Sequence, residues 1–207
     1  MTGPVHPVLA LARSRDVPRA AAGSLLVALA ATVFTGTRVD VPDFRYLVDF
    51  SVPVAAVAPV AYAVVLGTTL YSPMADLEHT AAQPVEAYRR AQLVALTLFA
   101  VALSALPMAA GLPFEVFAAS ARNAAGYLGL AVISARLFGS GLAWLLPLGT
   151  FGPTLLLGVG EDNTPEWWAW SIERAATSSA LVIAAVLWLT ALVLPGAPPR
   201  ADDRAET

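Results

Sequence analysis

The chain has no cysteine and no lysine, only two histidines, and charged side chains make up just 13% of its 207 residues. Without cysteine there is no disulfide framework, no thiolate nucleophile and no cysteine-based zinc site. His6 and His79 cannot by themselves form a histidine metal cluster. The lack of lysine makes all twelve basic residues arginine, and alanine is very frequent. That pattern reads as coding bias, so an arginine is not functional merely for being one. A soluble domain carries about a quarter charged residues, because its surface must face water. A chain with 57% hydrophobic residues and a mean hydropathy of +0.68 needs lipid as its solvent over much of its surface. The net charge of -3 says nothing useful about nucleic acid.

Chemistry-bearing patterns are also missing. There is no phosphate-binding loop of the Walker type, no pair of intramembrane carboxylates, no metal-ligand spacing and no nucleophile with its base. A membrane enzyme or ion-coupled carrier normally places polar groups at midplane depth. The expectation is therefore that the chain is not itself an enzyme.

What is present is a series of apolar runs. A helix needs about 20 mostly apolar residues to cross the hydrocarbon core. Six runs qualify: Ala20 to Gly36, Ser51 to Leu70, Ala91 to Leu112, Phe117 to Phe138, Gly141 to Val159, and Thr177 to Leu194. Pro53, Pro59 and Pro107 do not veto them, since neighbouring helices satisfy freed backbone groups in a bundle. Small residues (Ala55, Ala56, Ala58 and Ala61 in the second run, Ala124, Ala125, Gly126 and Gly129 in the fourth) permit close helix approach. The predicted fold is an all-α, polytopic membrane bundle of six transmembrane helices forming one domain.

Arginine placement orients it. With the N-terminus inside, Arg13, Arg15, Arg19, Arg89, Arg90, Arg136, Arg200 and Arg204 face the cytoplasm, against Arg38, Arg45, Arg122 and Arg174 on the outer side. This predicts a multi-pass cell-membrane protein with segments 1–19 and 195–207 both cytoplasmic. Three arginines, an apolar run and the small residues between Ala28 and Ala31 also resemble a secretory signal. A nineteen-residue leader is long for one, and no domain to secrete comes after it.

Two loops carry what specificity the sequence offers. The inner connection, residues 72–90, reads SPMADLEHTAAQPVEAYRR. Ser72 is a suitable N-cap, Pro73 fits the first helical position, and Asp76 and Glu78 fall in the first turn. Pro84 then breaks the pattern, and Glu86 and Arg90 can pair beyond it. A short cytoplasmic helix between the second and third spans is expected, with Met74 and Leu77 on one face and Asp76, Glu78 and His79 presented to water or a partner. The plain alternative is a solvated hairpin whose charges keep it out of lipid. The outer connection, residues 160–176, is acidic at Glu161, Asp162 and Glu166 and then carries Trp167, Trp168 and Trp170. Tryptophan favours the headgroup layer, so an aromatic belt on a short amphipathic or re-entrant helix is expected, with a role at an outer gate as the sharper reading. Asp43 and Asp49, beside Arg38 and Arg45, read as surface charge.

Arg122 lies about five residues into the fourth run, with Glu115 seven residues before it. A charge in lipid snorkels to the interface or faces a cavity or partner. Both remain open, and a pathway would bring in Asn123 and Tyr127.

Six spans, an inner helix between the second and third, and an excursion before the sixth together resemble the type-2 ABC exporter permeases. SPMADLEHTA followed by YRRAQL is similar to the intracellular coupling segment of that family. RNAAGYLGLAVISARLFGSGLAWLLPL is similar to its fourth and fifth spans, and PEWWAW precedes the last span as in some actinobacterial members. The resemblance implies a bacterial permease subunit without its own ATPase and with no cofactor of its own. It implies a second permease copy or homologue, and cytoplasmic ATP-binding subunits that hydrolyse ATP and dock on Met74, Asp76, Leu77, Glu78 and His79. The cargo would be an apolar or amphipathic small molecule or peptide. The chain departs from the family in its short length, small outer loops and weak basic N-terminal stretch, Val8 to Arg15. A non-transporting membrane scaffold or accessory subunit is the alternative.

Overall fold

The computed structural model describes residues 16–42, 45, 49–70, 85–173 and 177–194. Among these the chain is mostly helical, with six α-helices: α1 (Val17–Val33), α2 (Val54–Gly67), α3 (Val85–Ser104), α4 (Phe114–Phe138), α5 (Leu145–Leu157) and α6 (Ser178–Val193). Each coincides with one predicted run. Three stretches are long and apolar enough to cross a membrane: Ala87–Ala110, Phe114–Phe138 and Ser140–Leu157. The other three, Val17–Val33, Val54–Leu70 and Ser178–Val193, are apolar but shorter. At about 1.5 Å per residue, the 16 residues of α6 reach less far than the hydrocarbon core is thick.

The ends of the helices follow from local chemistry. Pro18 occupies the first turn of α1, where a missing N–H costs no helical bond. Pro53 immediately precedes α2, and Pro59 lies within it. Pro107 stops α3 at Ser104 and tightens the next residues into a 3-10 turn, Leu106–Ala110. Gly111 then adopts a left-handed φ of 90° to turn the chain into α4. After Pro84, α3 runs from Val85 to Ser104 without a break. The segment before it, with Met74, Asp76, Leu77, Glu78 and His79, lies outside the described residues, as do segment 1–15 and the C-terminal 195–207.

Helix α4 is the centre. It packs against α2, α3, α5 and α6, and 67% of its apolar stretch is buried within the chain, against 17% for Ser140–Leu157. Its small residues admit this. A Cβ on Gly129 would stand 2.8 Å from the Leu187 carbonyl carbon and 2.9 Å from the Trp188 nitrogen, so α6 crosses α4 backbone to backbone. Polar side chains add ties. The Trp188 indole N–H donates to Thr97 Oγ1 at 3.0 Å, joining α6 to α3. Ser134 Oγ donates to the Leu142 carbonyl at 2.6 Å and accepts from the Leu146 N–H at 3.3 Å, fixing the start of α5. Gln92 Nε2 donates to the Thr69 carbonyl at 3.0 Å, holding the first turns of α3 to the 3-10 turn that follows α2.

The distribution of side chains is the reverse of a soluble helix bundle. On α6, Ala180, Ala184 and Ala191 are buried, while Leu181, Val182, Val186, Leu189 and Val193 are all more than half exposed. On α1, Ala20, Ser24, Ala28 and Ala31 face inward, and Leu25, Leu26, Leu29 and Val33 face out. Water would drive the larger apolar groups inside; lipid tails do not, and small residues then win the interior because they let backbones approach. This arrangement, with three helices of spanning length, is that of a membrane-associated chain.

One end of the bundle carries a cap that composition does not foretell. Strand β1 (Arg38–Pro42) pairs antiparallel with β2 (Asp49–Pro53), with Val39 opposite Val52 and Val41 opposite Phe50. Those four share a face, and Val41 and Val52 are buried against Ala56, Val159, Ala169 and Ile172. The expected second span therefore loses its first residues, Ser51 to Pro53, to this hairpin. On the opposite face, Arg38 donates through Nε to Ser51 Oγ and through NH2 to the Ser51 carbonyl, both at 2.7 Å.

Candidate functional site

The second part of the cap is the segment after α5. No helix forms there among the described residues, contrary to the amphipathic or re-entrant helix expected, and the reason is local. Val159 bridges to Pro165, and Gly160 N–H donates to the Thr164 carbonyl at 2.8 Å. Asp162 Oδ1 accepts from the Thr164 hydroxyl at 2.7 Å, and Asn163 takes a left-handed φ of 59°. These side-chain bonds stabilise a tight turn in place of a helical start. Gly158 permits the fold-back, since a Cβ there would lie 3.0 Å from the Ala169 Cβ and closer still to the Thr154 carbonyl.

Beyond the turn, three carbonyls that a helix would have paired internally point instead at α4. Arg122 NH2 donates to the Trp170 carbonyl at 3.0 Å and to the Glu173 carbonyl at 2.8 Å. Asn123 Nδ2 donates to the Ser171 carbonyl at 2.6 Å and to Ala56 of α2 at 2.9 Å. The two side chains also hold each other, Arg122 NH2 to Asn123 Oδ1 at 3.1 Å. Both are buried, Asn123 completely and Arg122 to 6% exposure. Buried backbone carbonyls in a low-dielectric setting need donors, and a guanidinium supplies several in a fixed fork. The Glu173 carboxylate lies within electrostatic reach of Arg122, whereas Glu115 is exposed.

Below this polar node sits an aromatic one. The Trp170 indole lies over Gly126, where a Cβ would stand 2.5 Å from the ring. Its ring centroid is 5.0 Å from that of Tyr127, which in turn meets Phe151 of α5 edge-on at 6.4 Å. The Tyr127 hydroxyl lies beside the Ser171 side chain. Arg45, from between the hairpin strands, donates to the Leu157 carbonyl and, at 3.0 Å, to the Val159 carbonyl. A cation there complements the negative end of α5.

Of the residues singled out in the sequence, Arg122 and Tyr127 thus belong to one site, but their tryptophan is Trp170. Trp167 points away, 77% exposed, and Trp168 is half-buried against the hairpin cluster. Arg122 is buried, and its NH2 is turned to the cap carbonyls. Asn123, expected only as a neighbour, bridges α2, α4 and the cap. An Arg-Asn pair inside an apolar run is the available signal, because two such residues side by side demand acceptors from elsewhere. Ser171 and Ala56 act through their main chain and leave no trace in residue type. Among the described residues no group of three or more His, Cys, Asp or Glu is placed to hold a metal ion. The site can orient and seal. No protein-family model, curated protein or solved structure matches this chain.

Proposed function

We propose that the chain is the permease subunit of an ABC-type exporter, threading the cell membrane six times with both ends cytoplasmic. ATP would be hydrolysed by a separate cytoplasmic subunit, and the cargo would be an apolar or amphipathic small molecule or peptide. The observation that carries this reading is the order of parts. Six apolar helices are interrupted by one polar stretch of sequence, residues 72–90, whose last residues begin α3, and by an excursion after α5 in which residues 158–173 form no helix. Gln92 tying α3 to Thr69 supports it, because a segment that transmits a partner's closure must be held firmly at its stem. At Gly129 α4 and α6 meet backbone to backbone, which leaves no passage at that crossing, and the pathway in this reading runs between two copies. The same close crossing favours the second reading, a non-transporting scaffold subunit.

Purification from the native membrane in mild detergent separates the two. The permease reading expects an ATP-binding subunit to co-purify, with its hydrolysis rate lowered by Leu77→Ala and Glu78→Ala. A preparation that repeatedly contains no ATP-binding protein refutes it. Unchanged hydrolysis and transport in both variants assigns residues 72–90 a solvating role and supports the scaffold.

A further inference from the structure

The end of the bundle opposite the cap differs from it in charge. Among the described residues every acidic one except Asp16 and Glu86 lies at the cap end, where Arg38, Arg45 and Arg122 are turned to oxygens of the chain itself. At the opposite end Asp16 pairs with Arg19 at 3.0 Å. The other three arginines there, Arg89, Arg90 and Arg136, converge on the last turn of α6. Two crossings fix this. Gly129 of α4 meets α6 at Leu187 and Trp188, and both helices run away from the cap. Seven residues make about two turns with a drift of only about 20°, so Arg136 stands on the α6-facing side of α4, level with Leu194. Thr97 of α3 accepts from Trp188, and α3 runs the other way. Arg90, seven residues before Thr97, lies on the same flank of α3 and close to the same level, with Arg89 beside it. Arg90 is exposed, while Arg89 and Arg136 are half-buried. Glu86, one turn before Arg90, offsets one of these three charges and leaves the corner cationic.

Between these arginines and the cap, the two flanking helices turn apolar groups outward: Val94 and Leu98 on α3, Leu189 and Val193 on α6, all exposed. Phe138 and Trp144, also exposed near the level of the arginines, mark the headgroup layer. We infer that the corner of α3, α4 and α6 binds an anionic phospholipid, its phosphate held by Arg89, Arg90 and Arg136 and its acyl chains laid along α3 and α6. A guanidinium offers paired N–H donors to phosphate oxygens, and basic groups between spanning helices at headgroup depth suit anionic lipid. A free phosphate would use the arginines alone; the apolar flanks below them assign the site to lipid. The site does not rest on the permease reading, and its test needs neither transport nor a partner subunit.

The test is native mass spectrometry of the full chain, delipidated in mild detergent and titrated with phosphatidylglycerol or phosphatidylcholine of the same acyl chains. Phosphatidylglycerol is expected to be retained preferentially. Arg90→Gln and Arg89→Gln are each expected to weaken its retention by about fivefold, the contribution of one arginine near an anionic headgroup, and to leave phosphatidylcholine unchanged. Arg90→Lys is expected to keep most of the preference, and Arg19→Gln, on α1 and paired with Asp16, all of it. Equal retention of the two lipids by the wild-type chain would overturn the site, and this comparison needs no variant to fold. Wild-type preference in both Arg89→Gln and Arg90→Gln would overturn its location. An equal loss in Arg19→Gln would replace it with a field spread over the whole end. Displacement of phosphatidylglycerol by millimolar inorganic phosphate would make it a site for the free anion and overturn the lipid.

Discussion

The crossing of α4 and α6 sets up a comparison of two chemically identical changes. At Gly129 an added Cβ meets α6 main chain at 2.8–2.9 Å, whereas at Gly149 of α5 nothing lies within 4 Å. Carbon atoms rest at about 3.5–4.0 Å, so Gly129→Ala must push α6 outward by roughly an ångström. Main chain cannot swing aside as a side chain can, and overpacking of this kind costs about 1–3 kcal/mol. Both positions are helix interiors, so the gain of about 1 kcal/mol from replacing helical glycine by alanine applies to each and cancels in the difference. Gly129→Ala is therefore expected to be less stable than Gly149→Ala by about 1–3 kcal/mol. Equilibrium unfolding in mixed micelles with rising sodium dodecyl sulfate, followed by tryptophan fluorescence, measures it. Two variants of equal stability would mean that α4 and α6 do not touch through their backbones, and the central role given to α4 would fall with that result.

Removing both amide donors with Asn123→Ala leaves the Ala56 and Ser171 carbonyls short of partners and should lower stability by about 1–3 kcal/mol in the same unfolding assay. The Trp188–Thr97 bond should contribute only about 0.6 kcal/mol, as interhelical hydrogen bonds in membranes do. A double-mutant cycle with Trp188→Phe and Thr97→Val would contradict this if the coupling were several times larger. The Asp162 carboxyl is held below the usual carboxylate range, chiefly by the Thr164 hydroxyl. Because its folded value is depressed, the turn is favoured above the ordinary carboxylate pKa and loses that support as pH falls through the lowered value. Thr164→Val should return the carboxyl towards its ordinary range in a carbon-13 NMR titration, and an unaltered titration would remove the turn's stated cause.

The six helices are legible because each is a contiguous apolar run, and contiguity is a property of sequence. Their ends are less so. Pro107 stops α3 early and Pro53 delays α2, since proline withdraws a donor whose effect depends on where the next carbonyl can turn. The hairpin escapes a reading by hydropathy although RVDVP and DFSVP alternate, because Ser51 to Pro53 abut an apolar run and are absorbed into it. The Trp-rich stretch stands out as a special element, but its composition suggests a helix where the chain makes a turn. Trp167, Trp168 and Trp170 look alike in a sequence, and only packing distinguishes the one over Gly126 from the one in the open. Arg122 stands out in the sequence by its cost. Its acceptors cannot be read, because carbonyls belong to every residue.

The outward leucines and valines of α6, with alanines beneath them, make the fold conditional on its medium. Recolouring that exterior with glutamate and glutamine would yield a chain compatible with water yet without a reason to collapse in it. An alanine stripe conceals too little apolar area, at about 25 cal/mol per Å², to offset ordering the backbone. A water-soluble counterpart would need a larger-grained interior, and the Gly129 crossing leaves no room for one.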